Sequence, residues 1–464
     1  MNNANISGNA NITIQEVSNS TITLNVNGEI REIQNQLTEL KAVLKNLDVT
    51  NIKYENKIYN IGHINEANFG IVTSSKVFNG VLTKELILLL KEKLRPGAFL
   101  NNLPPEDKDN WETIRQHLKD AQNILEDSFI WVIGWEIRRL FSIGNDREKR
   151  METKIDEYIS HCFSTYRVTL QLAIYIFISK LWDEKSRDKD IDTNKKPIRN
   201  FFTSNRAFKL VELRDLLQAL IDIFNKNQLA YPVEKTELGD IQEFLQPDSK
   251  FNKACIELEK LEAMDPAKEV YGLGHCHTAE ISLTAILATF RLFTNYQLIT
   301  LKKIEYEESR YCAARYIKEL NILEKREAKN LMRILKYDKV PALTYSVFFR
   351  NETKAINLFP FLLDYNALTN ETDFQIYFYE CREGESDLRY FSIKNEKNEI
   401  ISYMATASDS LEINSEEQKN ELQKNIRLDL VARQFDEAAK TILGTSMNFR
   451  PKGSDNKVID FKNL

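Results

Sequence analysis

The stretch Phe129-Ile130-Trp131-Val132-Ile133-Gly134-Trp135 is apolar at every position. It lies inside a helical pattern covering Trp111 to about Ile143, behind the start signal Pro104-Pro105-Glu106-Asp107. A helix that is apolar on most sides has to be covered by neighbours, so this segment predicts a packed helical body. The same period continues outward. Leu82-Thr83-Lys84-Glu85-Leu86 opens an amphipathic helix that ends before Pro96-Gly97. Glu148 to Trp182 reads as a pair of helical segments, and Glu184 to Asp192 as a charge-dense loop. Helical patterns resume over Phe208–Asn225, Asn252–Met264, Thr278–Ile304 and Glu308–Lys336.

The flanks read differently. Residues 1–27 are rich in Asn, Ser and Thr, with Glu16 their one charged side chain. Asn11–Gln15 and Thr21–Asn27 alternate in the strand period around a Ser18-Asn19-Ser20 turn, which puts Ile22 and Leu24 on one face. From Gly28 the pattern becomes a heptad seam. Ile30, Ile33, Leu37, Leu40, Leu44 and Leu47 recur at spacings of 3 and 4. Beyond Pro341 the chain turns strand-rich and aromatic: Gln375–Glu380 and Leu388–Ile393 flank a loop at Glu383–Asp387, and Ile400–Met404 adds a strand. A last amphipathic helix covers Ser415 to Leu443. The expectation is a mainly α fold. A β-rich adhesive segment (1–27), a short coiled coil (28–50) and a mixed connector (51–80) precede a large helical domain (81–337). A small α+β module (338–443) and a loose polar tail (444–464) follow.

Composition narrows the function classes. In 464 residues, 42% are hydrophobic and 28% charged, with 14 Gly and 10 Pro, which excludes collagen-like and wholly disordered chains. A net charge of −5 argues against a polybasic nucleic-acid binder. Five dispersed cysteines without a CxxC pair point to a reduced setting, and Met1–Gln15 has neither the basic nor the apolar region of a secretory signal. The expected location is the cytoplasm. The uncharged stretch Ile281–Leu301, interrupted by Arg291, reads as a buried helix rather than a membrane span, so a membrane partner is not expected.

Three clusters carry candidate chemistry. Gly272-Leu273-Gly274-His275-Cys276-His277-Thr278-Ala279-Glu280 holds two of the five histidines, and His275 with His277 could share a metal. The competing structural account makes Thr278 an N-cap with Glu280 in the first turn. Cys381 in Tyr379–Gly384 resembles the strand-end cysteine of caspase-like proteases, but the nearest upstream histidines are about a hundred residues away, so a hairpin-edge cysteine is preferred. Lys195, Lys196, Arg199, Arg206 and Lys209 are interleaved with three phenylalanines, a pattern that can bind phosphate or nucleic acid; the preferred reading is a loop feeding a helix with core phenylalanines. No phosphate loop, HExxH, GxSxG or dinucleotide fingerprint is present, and no cofactor is expected.

Several passages together resemble accessory or effector-associated proteins of bacterial conflict systems, the antiviral defence machineries. They are Asn11–Asn27 with the following heptad, Phe78–Leu86, Trp131–Leu140 and Ser179–Asp183. The N-terminal segment is similar to prokaryotic amyloid-signalling motifs. The resemblance implies sensing or signalling, with a sensor NTPase or another defence protein as partner. The leading expectation is an interaction protein forming a homo-oligomer through Ile22, Leu24 and the heptad seam. The alternatives are a metal-dependent hydrolase centred on His275 and His277, and a membrane-disrupting effector that releases helix 281–301.

Overall fold

The computed structural model describes residues 78–90, 121–146, 148–187, 190–234, 242–265, 270–307, 310, 315–323, 333–335, 346–351, 354–364, 375–383, 387–393, 397–402 and 416–446, with short backbone segments before residue 61. Among those segments, β1 (Asn5–Ile6) pairs antiparallel with β2 (Ile12–Thr13). β3 (Thr21–Leu24) runs parallel to β4 (Asn51–Tyr54), which pairs antiparallel with β5 (Lys57–Asn60). The rest of 1–77 lies outside the described residues. That includes Ile30, Ile33, Leu37, Leu40, Leu44 and Leu47, and so the predicted coiled coil.

The described residues form a mainly α fold. In chain order the helices are α1 (Gly80–Leu90), α2 (Trp131–Asn145), α3 (Met151–Lys185), α4 (Lys196–Thr203), α5 (Leu210–Lys226), α6 (Gln242–Leu245), α7 (Lys250–Glu262), α8 (Leu273–Thr289) and α9 (Glu416–Leu443). α3 is the axis. Every residue from Val168 to Ser179 is buried, because α2, α5, α8 and α9 all pack against it. Each fully buried Leu, Ile or Phe there contributes about 1.5–3 kcal/mol. The polar members close on their own helix: Thr165 and Thr169 donate to the carbonyls four residues back. α3 is long and apolar enough to cross a membrane, yet 83% of its apolar window is buried inside the protein. The sequence suggested two segments here; one 35-residue helix forms, since no Gly or Pro interrupts it.

The strands make two further antiparallel sheets. β6 (Gln297–Glu307), β7 (Arg315–Leu323), β8 (Arg333–Leu335), β9 (Val347–Arg350) and β10 (Ala355–Asn357) stand in the order β10-β9-β6-β7-β8. β11 (Leu362–Asp364), β12 (Ile376–Glu383), β13 (Asp387–Ser392) and β14 (Lys397–Ser402) stand in numerical order. The second sheet contains the expected hairpin and third strand, and α9 matches the expected last helix. One continuous buried cluster reaches from Phe78 to Ile442. Tyr175 of α3 lies against Phe201 of α4, Phe361 and Phe378, and its hydroxyl donates to the Tyr379 carbonyl.

Two helical expectations are corrected. α8 stops at Thr289, a 3-10 turn covers Arg291–Thr294, and 297–307 is strand rather than helix; 315–323 is strand too. In Gln297-Leu298-Ile299-Thr300-Leu301 the β-branched pair favours extended backbone, and Leu298 to Leu301 are buried on both faces, as in an interior strand. The predicted 281–301 helix therefore does not exist as one element. The second correction lies at Phe129–Ile130, where the helical residues 121–128 end and α2 begins. The Ile130 N–H leaves the helix ladder and donates to the Phe293 carbonyl at 3.0 Å. The two pieces meet so closely that a Cβ on Gly134 would sit 2.2 Å from the Glu126 carbonyl oxygen. Only glycine permits that approach.

Candidate functional site

The break at 129–130 opens onto a cleft of the helical body. Glu126, Asp127 and Ser128 reach it from the end of the preceding helical segment. Trp131, Trp135 and Arg138 reach it from one face of α2, at i, i+4 and i+7. Tyr296 and Gln297 close it where β6 begins. The cleft has a volume of about 260 Å³. The two indoles stack with centroids 6.0 Å apart at 29°. The Arg138 guanidinium lies 5.7 Å from the Trp135 ring centroid, and its Nε is 4.0 Å from Glu126 Oε2. Glu126 keeps only 9% of its side chain exposed, whereas Asp127 is exposed. Tyr296 is a fixed wall, stacked on Phe349 at 4.2 Å. The Trp135 indole N–H is buried without a hydrogen-bond partner among the described residues. The lining offers flat aromatic faces, two carboxylates and one guanidinium. Such a set has the chemistry to hold a planar or cationic group.

The residues singled out from sequence fall elsewhere. His275 is the third residue of α8, and its Nδ1 accepts the Gly272 N–H at 3.0 Å. From the third helical position it reaches back to the backbone N–H of the N-cap residue Gly272, and its ring stands edge-on to Tyr271. The helix begins six residues earlier than a Thr278 cap would place it, so His275, Cys276 and His277 are helical. Among the described residues no three His, Cys, Asp or Glu side chains gather as a metal site. Glu280 caps a different helix. Its carboxylate accepts the Asn79 N–H at 3.1 Å and the Leu82 N–H at 2.9 Å, at the positive end of α1. Burial pushes its pKa up to about 7, against the lowering effect of those backbone donors.

The basic run also separates. Phe201, Phe202 and Phe208 are core residues, with Phe202 against Phe435 and Phe201 against Tyr379. Lys195 pairs with Asp222 at 2.9 Å, Arg206 forks onto Glu212, and Arg199 donates to Asn194. Lys196 and Lys209 are exposed, and Lys209 precedes α5, where its backbone N–H donates to Glu212. The five cations thus share no aromatic platform. Cys162, Cys255, Cys276 and Cys381 are all buried. Burial pushes the Cys255 thiol up to about 12 and Cys381 to about 11, opposite to what a thiolate nucleophile needs.

A second polar pair is enclosed between α2 and α3. His161 Nε2 lies 3.1 Å from the Glu136 carbonyl oxygen and 3.2 Å from Glu136 Oε2. Burial raises Glu136 to about 7, while Ser164 and Arg139 lower it; burial and Arg139 depress His161 to about 4. Near neutral pH the imidazole is uncharged and the carboxyl shares its site with a proton.

No protein-family model, curated protein or solved structure matches this chain. The cleft was only partly legible in the sequence. The helical spacing of Trp131, Trp135 and Arg138 is a signal in the residues themselves. Glu126 and Asp127 join them only because the helix breaks, which the continuous apolar pattern concealed.

Proposed function

We propose that this chain is an interaction protein that recognises a ligand at the Trp131–Trp135 cleft and assembles through its N-terminal region. In this reading it is a cytoplasmic signalling component of a bacterial antiviral defence system, working with a sensor NTPase or another defence protein. The observation that carries the recognition half is the cleft itself. It presents aromatic faces and charges, while the described cysteines, Glu136, His161, His275 and Glu280 serve the scaffold. The assembly half rests on the seam Ile30–Leu47, whose six apolar positions require a partner surface. The defence setting rests on the resemblance alone.

The double variant Leu37→Asp, Leu40→Asp tests assembly. It places charge in the middle of the seam and should lower the molar mass in light scattering while helical circular dichroism stays at the parent level. Parent mass in the variant would mean that the seam packs within its own chain, and the assembly reading would fail.

A further inference from the structure

We propose that α1 is a proton-linked latch: Asn79 and Glu280 fasten the segment 78–90 to the helical body, and ionisation of the Glu280 carboxyl loosens it. Release frees the N-terminal region to assemble, a consequence that rests on the assembly reading, since residues 1–77 lead into this segment. The fastening draws on α2, α3 and α8. The Asn79 side chain, 2% exposed, donates to the Leu140 carbonyl of α2 at 3.2 Å and accepts the Tyr158 hydroxyl of α3 at 3.0 Å. Its backbone N–H is shared between the Tyr158 oxygen and the Glu280 carboxylate of α8. Asn79 adopts a φ of 67°, a left-handed conformation that asparagine tolerates better than most side chains. Gly144 of α2 leaves it room: a Cβ there would stand 2.0 Å from Asn79 Nδ2. Phe78, Leu82, Leu86, Ile87 and Leu90 are buried with it. Ordering such a segment costs conformational entropy of the same order as those side chains return, so the polar contacts tip the balance.

Glu280, 1% exposed, is the member of this joint that titrates near neutrality. Facing it are Tyr158 and Cys162 from α3 and Cys276 from its own helix, all pushed up by burial and therefore protonated. From α1 it meets backbone N–H groups, while Lys84 and Glu85 are exposed. The Lys154 ammonium of α3 lies over the Phe78 ring and donates to the Asp146 carbonyl. Burial raises Glu280 from 4.5 to about 7, so the docked segment favours the protonated carboxyl, whereas lifting α1 away returns it to water. Docking is firmest below pH 4.5 and weakens as pH rises through 7.

The test is amide hydrogen exchange of the full chain, read by mass spectrometry at pH 5.5 and 7.5 and corrected for intrinsic rates. Residues 168–179 of α3 serve as the reference. In the parent, opening of 80–90 should grow about twentyfold between the two pH values relative to the reference, as linkage requires of a carboxyl moving between 4.5 and 7. Glu280→Gln, uncharged throughout, should abolish that growth. Gly144→Ala should expel the Asn79 side chain and speed exchange of 80–90 at both pH values, with the reference unchanged. If Glu280→Gln does not fold, the parent and Gly144→Ala decide. Leu37→Asp with Leu40→Asp should keep the parent's response, so failure of the seam leaves the latch standing. No growth in the parent, equal growth in Glu280→Gln, or a reference that opens together with 80–90 in Gly144→Ala would each overturn the latch. Loss of the response in the seam variant would overturn it too, since the proton would then act through contacts between chains.

Discussion

Glu136 is 1% exposed and His161 6%, and the two sit in contact at the α2–α3 interface. Their titrations act on stability with opposite sign. Glu136 has a native pKa near 7 and an ordinary value of 4.5, so between those values the folded chain holds a proton that the unfolded chain has lost. Stability from this group is present at low pH and falls as pH rises from 4.5 to 7. His161, depressed from 6.5 to about 4, does the reverse: stability rises as pH climbs from 4 to 6.5. Glu136→Gln removes the falling limb and leaves the rising one. The stability of this variant relative to the parent should therefore grow between pH 5 and pH 7.5, by an amount of order 3 kcal/mol, and thermal melts at both pH values measure it. A difference that does not change with pH would show that Glu136 is ionised throughout. Nothing in the sequence marked this pair. Glu136 and His161 are twenty-five residues apart on different helices, and only the packing of α2 on α3 brings them together.

At the scale of elements, legibility followed how local the deciding interaction was. The hairpin of β12 and β13 was readable because alternating aromatics and a polar loop carry it within one short stretch. α5, α7 and α9 were readable from their periodicity. β6 was not, since its apolar run suits a buried helix as well as a buried strand, and its pairing with β7 and β9 decided the outcome. The break before α2 was hidden for a similar reason: it depends on Phe293, more than 160 residues away, accepting the Ile130 N–H. β3 raises the corresponding question for assembly. It ends the order β3-β4-β5, with Ile22 opposite Ile52 and Leu24 opposite Tyr54. An end strand offers its outer edge to another chain, and the surrounding sequence is nearly free of charge. Coupled to the seam, such edges would meet at high effective concentration. Ile22→Lys with Leu24→Lys should abolish species larger than the oligomer proposed to form through the seam in sedimentation velocity, with no change in helical circular dichroism. Loss of helical signal at ordinary temperature would instead make this strand part of the folded body.

For the whole molecule, the question is whether the C-terminal strands and α9 form a unit of their own, as the change in sequence texture at Pro341 suggested. The packing argues for one unit. Phe435 of α9 is fully buried, 4.6 Å from the ring of Tyr379, 5.4 Å from Phe202 and 6.0 Å from Phe361. α4 is therefore clasped between the helical body and the second sheet. The link is polar as well: the Arg382 N–H donates to the Ser204 carbonyl at 2.8 Å, and the Lys185 ammonium of α3 donates to the Ile442 carbonyl at 3.3 Å. Of the four tryptophans, Trp131, Trp135 and Trp182 lie on α2 and α3 and report on the helical body, while Trp111 lies outside the described residues. Phe435→Ala should cost about 3–5 kcal/mol, because so enclosed a ring leaves a cavity that its neighbours cannot fill. If core and module unfold together, that loss lowers the denaturant midpoint seen by tryptophan fluorescence and by far-ultraviolet circular dichroism equally. A tryptophan midpoint that stays at the parent value, while part of the dichroism is lost earlier, would show two cooperative units. The shared core would then be an interface between domains. The coincident outcome has a consequence for recognition: Phe293, which holds the α2 break open, and Phe435 belong to the same buried cluster, so the cleft's geometry is tied to the integrity of the C-terminal strands.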